Sequence, residues 1–133
     1  MMAKKEITYK GFSSDELLKM DISEFMKHIP SRARRSLKRG LTDQEKKLLI
    51  KVKAFREGKL KKNIKTHCRD MVIIPQFLGL TISIHNGREY LPLEINTEML
   101  GKFLGEFAHT RKKVAHNAPG IGATKSSGAM SVK

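Results

Sequence analysis

The segment TISIHNGREYLPL, residues 81–93, constrains the fold more than any other part of the chain. Two short runs rich in β-branched and aromatic residues flank Asn86-Gly87, a dipeptide that accepts the positive φ angles of a type I′ hairpin turn. That turn sets Ile82 opposite Leu91 and Ile84 opposite Glu89, so Ile82, Ile84, Leu91 and Leu93 are expected to share one face. Ser83, His85, Arg88 and Tyr90 are expected on the other. Pro92 lacks an amide hydrogen, so its nitrogen must point away from any partner strand.

Helical signals bracket the hairpin. Over residues 13–29 apolar side chains recur at Leu17, Leu18, Ile22, Phe25, Met26 and Ile29, with Asp15 and Glu16 suited to a first turn and Asp21 able to cap a second, shorter helix. Pro30 stops that pattern. In SRARRSLKRG, Gly40 can end a helix in the left-handed conformation. Thr42 and Glu45 read as a capping box that opens a helix with Leu48, Leu49, Val52 and Phe55 on one face and Lys46, Lys47, Lys51 and Lys53 outward. Gly58 ends it.

Residues 64–68 read as a short extended piece, and Val72, Ile73 and Ile74 running into Pro75 read as a turn rather than a strand. Asn96 or Thr97 is expected to cap a short helix reaching Phe107, with Met99, Leu100, Phe103 and Leu104 inward and with Gly101 and Gly105 loosening it. With 133 residues there is room for one core. The expected division is an N-terminal helical extension over residues 1–40 that ends in a basic cluster, a globular α+β core over 41–107, and a basic tail over 108–133. The tail holds few large aliphatics, which predicts disorder in the free chain.

Charge narrows the function. Lysine and arginine number 27 against 13 acids, a net charge of +14. Residues 31–66 alone hold fourteen basic side chains against three acidic, and residues 108–133 hold five against none. Such an excess repels itself and attracts polyanions through counterion release, as nucleic-acid-binding proteins do.

Other chemistries fit poorly. PGIGATKSS, residues 119–127, suggests a phosphate cradle, but Lys125 follows Thr124, no glycine stands where a Walker A loop requires one, and RKKVAHNA before it is no buried strand. Cys68 with scattered histidines lacks metal-ligand spacing, so no metal or cofactor is expected. A thiol catalyst at Cys68 would need a histidine base and a pocket, and His67 sits on the opposite side of an extended strand. Glu89, Glu94, Glu98 and Glu106 form no acid/base pair. The amphipathic stretch 43–57 needs its apolar face for the core, which argues against membrane binding. MMAKKEITYK lacks the apolar run of a signal peptide and the single cysteine suits a reducing compartment, so the expected location is cytoplasmic.

The stretch IPQFLGLTISIHNGREYLPLEINTEMLGKFLGEFAHTR resembles the universal small-subunit ribosomal protein family nineteen. The residues carrying the resemblance are Pro75, Gly79, Asn86, Gly87, Met99, Gly101, Leu104, Gly105, Glu106, Phe107, Thr110 and Arg111. SRARRSLKRGL, KTHCRDM and PGIGATKSS are similar to the archaeal and eukaryotic branch, and the likeness covers about residues 9–128. Against the shorter bacterial form, His67 stands where an aromatic residue is usual, and Asp70 where a second basic one is usual. The resemblance implies a small α+β fold with a three-stranded sheet and a place in the head of the small subunit. It also implies binding to ribosomal RNA beside proteins of families thirteen and fourteen, with the carboxyl tail reaching toward the decoding site and transfer RNA.

Residues and resemblance together define an expected RNA surface and no enzymatic activity. Arg32, Arg34, Arg35, Lys38 and Arg39, then Lys61, Lys62 and Lys65, are expected on backbone phosphates. His67, Arg69 and Arg88 join them at the sheet edge, and Arg111, Lys112, Lys113, His116 and Lys125 in the tail. Phosphate contacts position without specifying, so selectivity must come from RNA shape and from stacking on histidine or tyrosine. A free-standing basic nucleic-acid-binding protein is the alternative.

Overall fold

The structure, a computed structural model, describes residues 8–113. The expectations for PGIGATKSS, His116 and Lys125 concern residues outside that range.

The helical run of residues 13–29 is two helices, α1 (Ser14–Lys19) and α2 (Ile22–His28). Ser13 and Glu16 close a capping box on α1, and the Asp21 side chain accepts from the Ser23 amide to start α2. Met20, extended between them, turns the second helix so that Leu17, Phe25 and Ile29 all reach the core. Leu18 instead stays 41% exposed.

After Pro30, α3 (Ser31–Lys38) buries only Ala33 and ends before Gly40, whose φ is +93°. The capping box of α4 (Asp43–Arg56) has the expected partners: the Thr42 amide donates to Glu45 Oε2 at 2.7 Å and the Glu45 amide to Thr42 Oγ1 at 3.4 Å. Leu48 and Val52 are buried, with Leu49 and Phe55 packed beside them. The end of α4 is tied down by Arg56, which donates to the carbonyls of Gln76 and Leu78, each at 3.0 Å.

The sheet has three strands in the order β1 (Ile64–Thr66), β2 (Thr81–His85), β3 (Tyr90–Glu94). β1 runs parallel to β2, pairing Ile64 with Ile82, and β2 runs antiparallel to β3. The observed hairpin register differs from the expected one by two residues: Ile82 faces Leu93 and Ile84 faces Leu91. The cause is the asparagine side chain. Asn86 Oδ1 accepts from the amides of both Arg88 and Glu89 at 2.9 Å while the Asn86 amide donates to the Glu89 carbonyl at 3.0 Å, so the chain reverses over Gly87-Arg88 and not over Asn86-Gly87. A shift of two preserves the side-chain parity, so Ile82 and Ile84 still face the core together with Leu91 and Leu93. Arg88 leaves the ladder for the loop. Pro92 lies on an edge strand, where its missing donor costs no ladder bond.

The expected helix over residues 97–107 is instead two 3₁₀ turns, Thr97–Met99 and Leu104–Phe107. Gly101 separates them with φ +75°, and a Cβ there would lie 3.0 Å from Ile29 Cγ2. Beyond the short bonds within each turn, the backbone around it pairs with residues 69–73. Ile73 donates to the Lys102 carbonyl at 2.8 Å, Leu104 to Met71 at 3.0 Å and Gly105 to Arg69 at 2.8 Å. Val72, Ile73 and Ile74, expected as a turn, are therefore buried extended backbone that follows the buried Met71, with Val72 bridged to Phe103.

One hydrophobic cluster runs through both sides of Gly40: Leu17, Phe25, Ile29 and Ala33 belong to the same core as Met71, Ile73, Phe77, Ile82, Ile84 and Leu104. At about 1.5–3 kcal/mol for each large side chain buried, the first helices are a substantial part of what holds the sheet's inner face in place.

Candidate nucleic-acid interface

The outer face of the sheet gathers three rings and an ammonium. Side chains alternate along β1, so burial of Ile64 and Thr66 turns Lys65 and the following His67 outward. Parallel pairing of Lys65 with Ser83 carries His67 to the level of His85, and antiparallel pairing sets His85 against Tyr90. The ring centroids of His67 and His85 are 4.3 Å apart, those of His85 and Tyr90 4.8 Å, and those of His67 and Tyr90 5.4 Å.

Hydrogen bonds hold the group. The Tyr90 hydroxyl lies 2.7 Å from His67 Nε2, and the Gly87 amide donates to His85 Nδ1 at 3.1 Å. Accepting at Nδ1 leaves Nε2 of His85 to carry the proton of the neutral ring. Lys65 Nζ sits 5.2 Å from the centre of the Tyr90 ring, within cation–π range. Flat rings beside a lysine form a surface on which unpaired bases can stack while their phosphates meet the cation.

A second basic surface lies on α3. Arg32, Arg35, Lys38 and Arg39 are exposed there, and Lys61, Lys62, Arg88, Arg111, Lys112 and Lys113 are exposed elsewhere on the chain. Exposed cations in such number, with no acid among residues 31–42 or 108–113, suit backbone phosphates.

Comparison with known proteins decides the class. Residues 35–116 match the family model described as Ribosomal protein S19. The chain belongs to the ribosomal protein S19 family. It is also 49% identical, over 130 residues, to the small ribosomal subunit protein uS19 of the archaeon Saccharolobus solfataricus, covering 97% of this chain and 93% of that relative. The S19 family is a structural, non-enzymatic class of ribosomal protein, and the likeness of SRARRSLKRGL and KTHCRDM to its archaeal and eukaryotic branch agrees with that archaeal relative.

Within this S19-family chain, two of the sequence-selected cations turn inward. Arg34 Nε donates to the Met26 carbonyl at 2.8 Å, and its Nη2 donates to the carbonyls of Ile29 at 3.0 Å and Lys27 at 3.3 Å. It thereby satisfies the open C-terminal end of α2. Arg69 donates from Nη1 to the His85 carbonyl at 2.9 Å, and from Nη2 to those of Gly105 at 2.9 Å and Ala108 at 2.6 Å. A guanidinium carries five donors in a rigid fork and can bridge three chain segments at once. Both guanidiniums, expected on phosphates, are engaged by backbone carbonyls within the fold.

The expected RNA surface includes His67 and Lys65 but not His85 and Tyr90, although the hairpin pattern sets those two on one face. The missing information was the parallel pairing of β1, which has no local sequence signal. Cys68 is buried, and its amide donates to Thr66 Oγ1. Among the described residues no group of three His, Cys, Asp or Glu side chains could hold a metal ion, and no helix is long and apolar enough to cross a membrane.

Proposed function

We propose that this chain is a structural constituent of the small ribosomal subunit, acting in translation by binding and shaping ribosomal RNA. The single observation that carries this reading is the 49% identity to an archaeal uS19 protein along nearly the whole chain. The basic faces and the ring cluster supply the chemistry: cations on α3, the 59–65 segment and residues 111–113 neutralise phosphates, and His67, His85 and Tyr90 offer stacking faces. Arg34 and Arg69 hold the elements that present them.

The chain sits in the head of the subunit, bound in the cytoplasm to ribosomes, beside proteins of families thirteen and fourteen. Its tail, residues 108–133, reaches toward the decoding site and transfer RNA, with Lys125 and His116 contacting RNA. Chemical footprinting of ribosomal RNA in subunits assembled with and without the chain tests this placement. Protections clustered in the head support it, and protections absent from the head contradict it.

A further inference from the structure

Beneath α3 a cleft of about 830 Å³ opens, a volume within the range of small-ligand sites. The α3 segment contributes Arg32, Ser36 and Arg39 to its lining, and the paired strands of backbone below contribute Asp70, Phe103 and Glu106. Arg32 lays its guanidinium over the Phe103 ring, 5.3 Å from the centroid.

The charges in this cleft do not neutralise one another. Among the described residues the ion pairs are Lys46 with Asp43 and Lys59 with Glu57, so none of Arg32, Arg39 and Arg69, which all line the cleft, meets Asp70 or Glu106. Glu106 uses Oε1 to accept from the Phe103 amide at 3.3 Å, and its second oxygen accepts from no described residue. The exposed Asp70 carboxylate accepts no hydrogen bond from any described residue. A ligand that fits must therefore bring an anion for the arginines, N–H donors for the carboxylates and a flat ring for Phe103 and Arg32.

The geometry points to a site for one unpaired guanosine of an RNA strand, read by Asp70. This inference rests on the RNA-binding reading above. A carboxylate only accepts hydrogen bonds, and guanine alone among the four bases presents two adjacent N–H donors, N1 and the 2-amino group, on its pairing edge. Adenine and cytosine place a ring acceptor beside their amino group, and uracil flanks its single N–H with carbonyls. A peptide with mixed charge could satisfy the walls but would leave the flat Phe103–Arg32 pair unused. The outward Arg35 and Lys38 extend the same cationic side of α3 along the path of a strand.

The test uses the full chain and short RNAs. UUGUU is expected to bind about tenfold or more tightly than UUAUU, UUCUU or UUUUU, as one bidentate base contact provides. Inosine in place of guanosine should lose most of that margin, and Asp70→Asn should bring all four RNAs to within about twofold. Equal binding of the four by the natural chain, or a guanosine preference that survives Asp70→Asn, overturns the proposal. Uniform RNA binding that weakens normally with salt removes this site alone, whereas the absence of salt-dependent binding to any RNA removes the reading beneath it. In assembled subunits, a benzophenone side chain at Ser36 should crosslink to an unpaired guanosine, and a crosslink to protein contradicts the site.

Discussion

The Tyr90 hydroxyl and His67 Nε2 lie 2.7 Å apart although 23 residues separate them in sequence. The contact exists because β2 pairs with β1 on one side and β3 on the other. It joins two edge strands across the central one and fixes the plane of both rings.

Stacking on that surface predicts a graded response. Tyr90→Ala should weaken binding of a single-stranded ribosomal RNA fragment by about 1–3 kcal/mol, the worth of one base–aromatic stack. Tyr90→Phe keeps the ring and should lose only a small part of that affinity. Anisotropy titrations of the two variants check the order, and an equal loss in both would assign the effect to the hydroxyl instead.

Arg35 and Arg69 should separate charge from architecture. Arg35 is exposed, so Arg35→Ala should lower the slope of log affinity against log salt by about one without changing stability. Arg69→Ala removes three bonds to carbonyls and should destabilise the chain by about 2–4 kcal/mol in urea unfolding. A reduced salt slope in the Arg69 variant, with unfolding unchanged, would reverse these roles.

Gly101→Ala should cost about 2 kcal/mol or more of stability, since the new Cβ would meet Ile29 at 3.0 Å on a backbone with φ +75°. Urea unfolding measures it. Gly58, with φ +74° and open space around it, lacks the contact and should lose less on the same substitution.

These positions show which parts of the fold were legible beforehand. Thr42 with Glu45, Asp21 and Gly40 carry local instructions, since a cap or a left-handed residue acts on its own neighbours, and those boundaries were readable. Gly101 carries no such instruction. The apolar spacing of Met99, Leu100, Phe103 and Leu104 mimics a helix, and only contact with Ile29 and pairing with residues 69–73 break it into two 3₁₀ turns. The hairpin faces were legible from alternation, but its register depended on Asn86 bonding two amides at once. For the candidate interface, sequence shows that Arg34 and Arg69 are charged and cannot show the carbonyls that surround them.

Tyr9 predicts a pH response. Burial pushes its hydroxyl above the ordinary value of 10.0. The folded state therefore favours the protonated phenol, so this contribution to stability is complete below the unfolded value and is lost as pH rises through the folded one. Tyr9 should ionise above its ordinary value in an ultraviolet titration of the native chain, and Tyr9→Phe should abolish that late step. A late step persisting in the variant would exclude Tyr9 as its source.

The tail yields a separable prediction. Deleting residues 117–133 should leave folding and subunit assembly largely unchanged and should disturb decoding, measured as misreading in a translation assay. Unchanged accuracy would remove the decoding role.

Sedimentation tests the central claim most directly. Tagged chain expressed in its own cells should travel with the small ribosomal subunit through a sucrose gradient at moderate salt, at a ratio near one copy per subunit. Recovery at the top of the gradient, apart from ribosomes, would contradict a ribosomal role and favour a free nucleic-acid-binding protein.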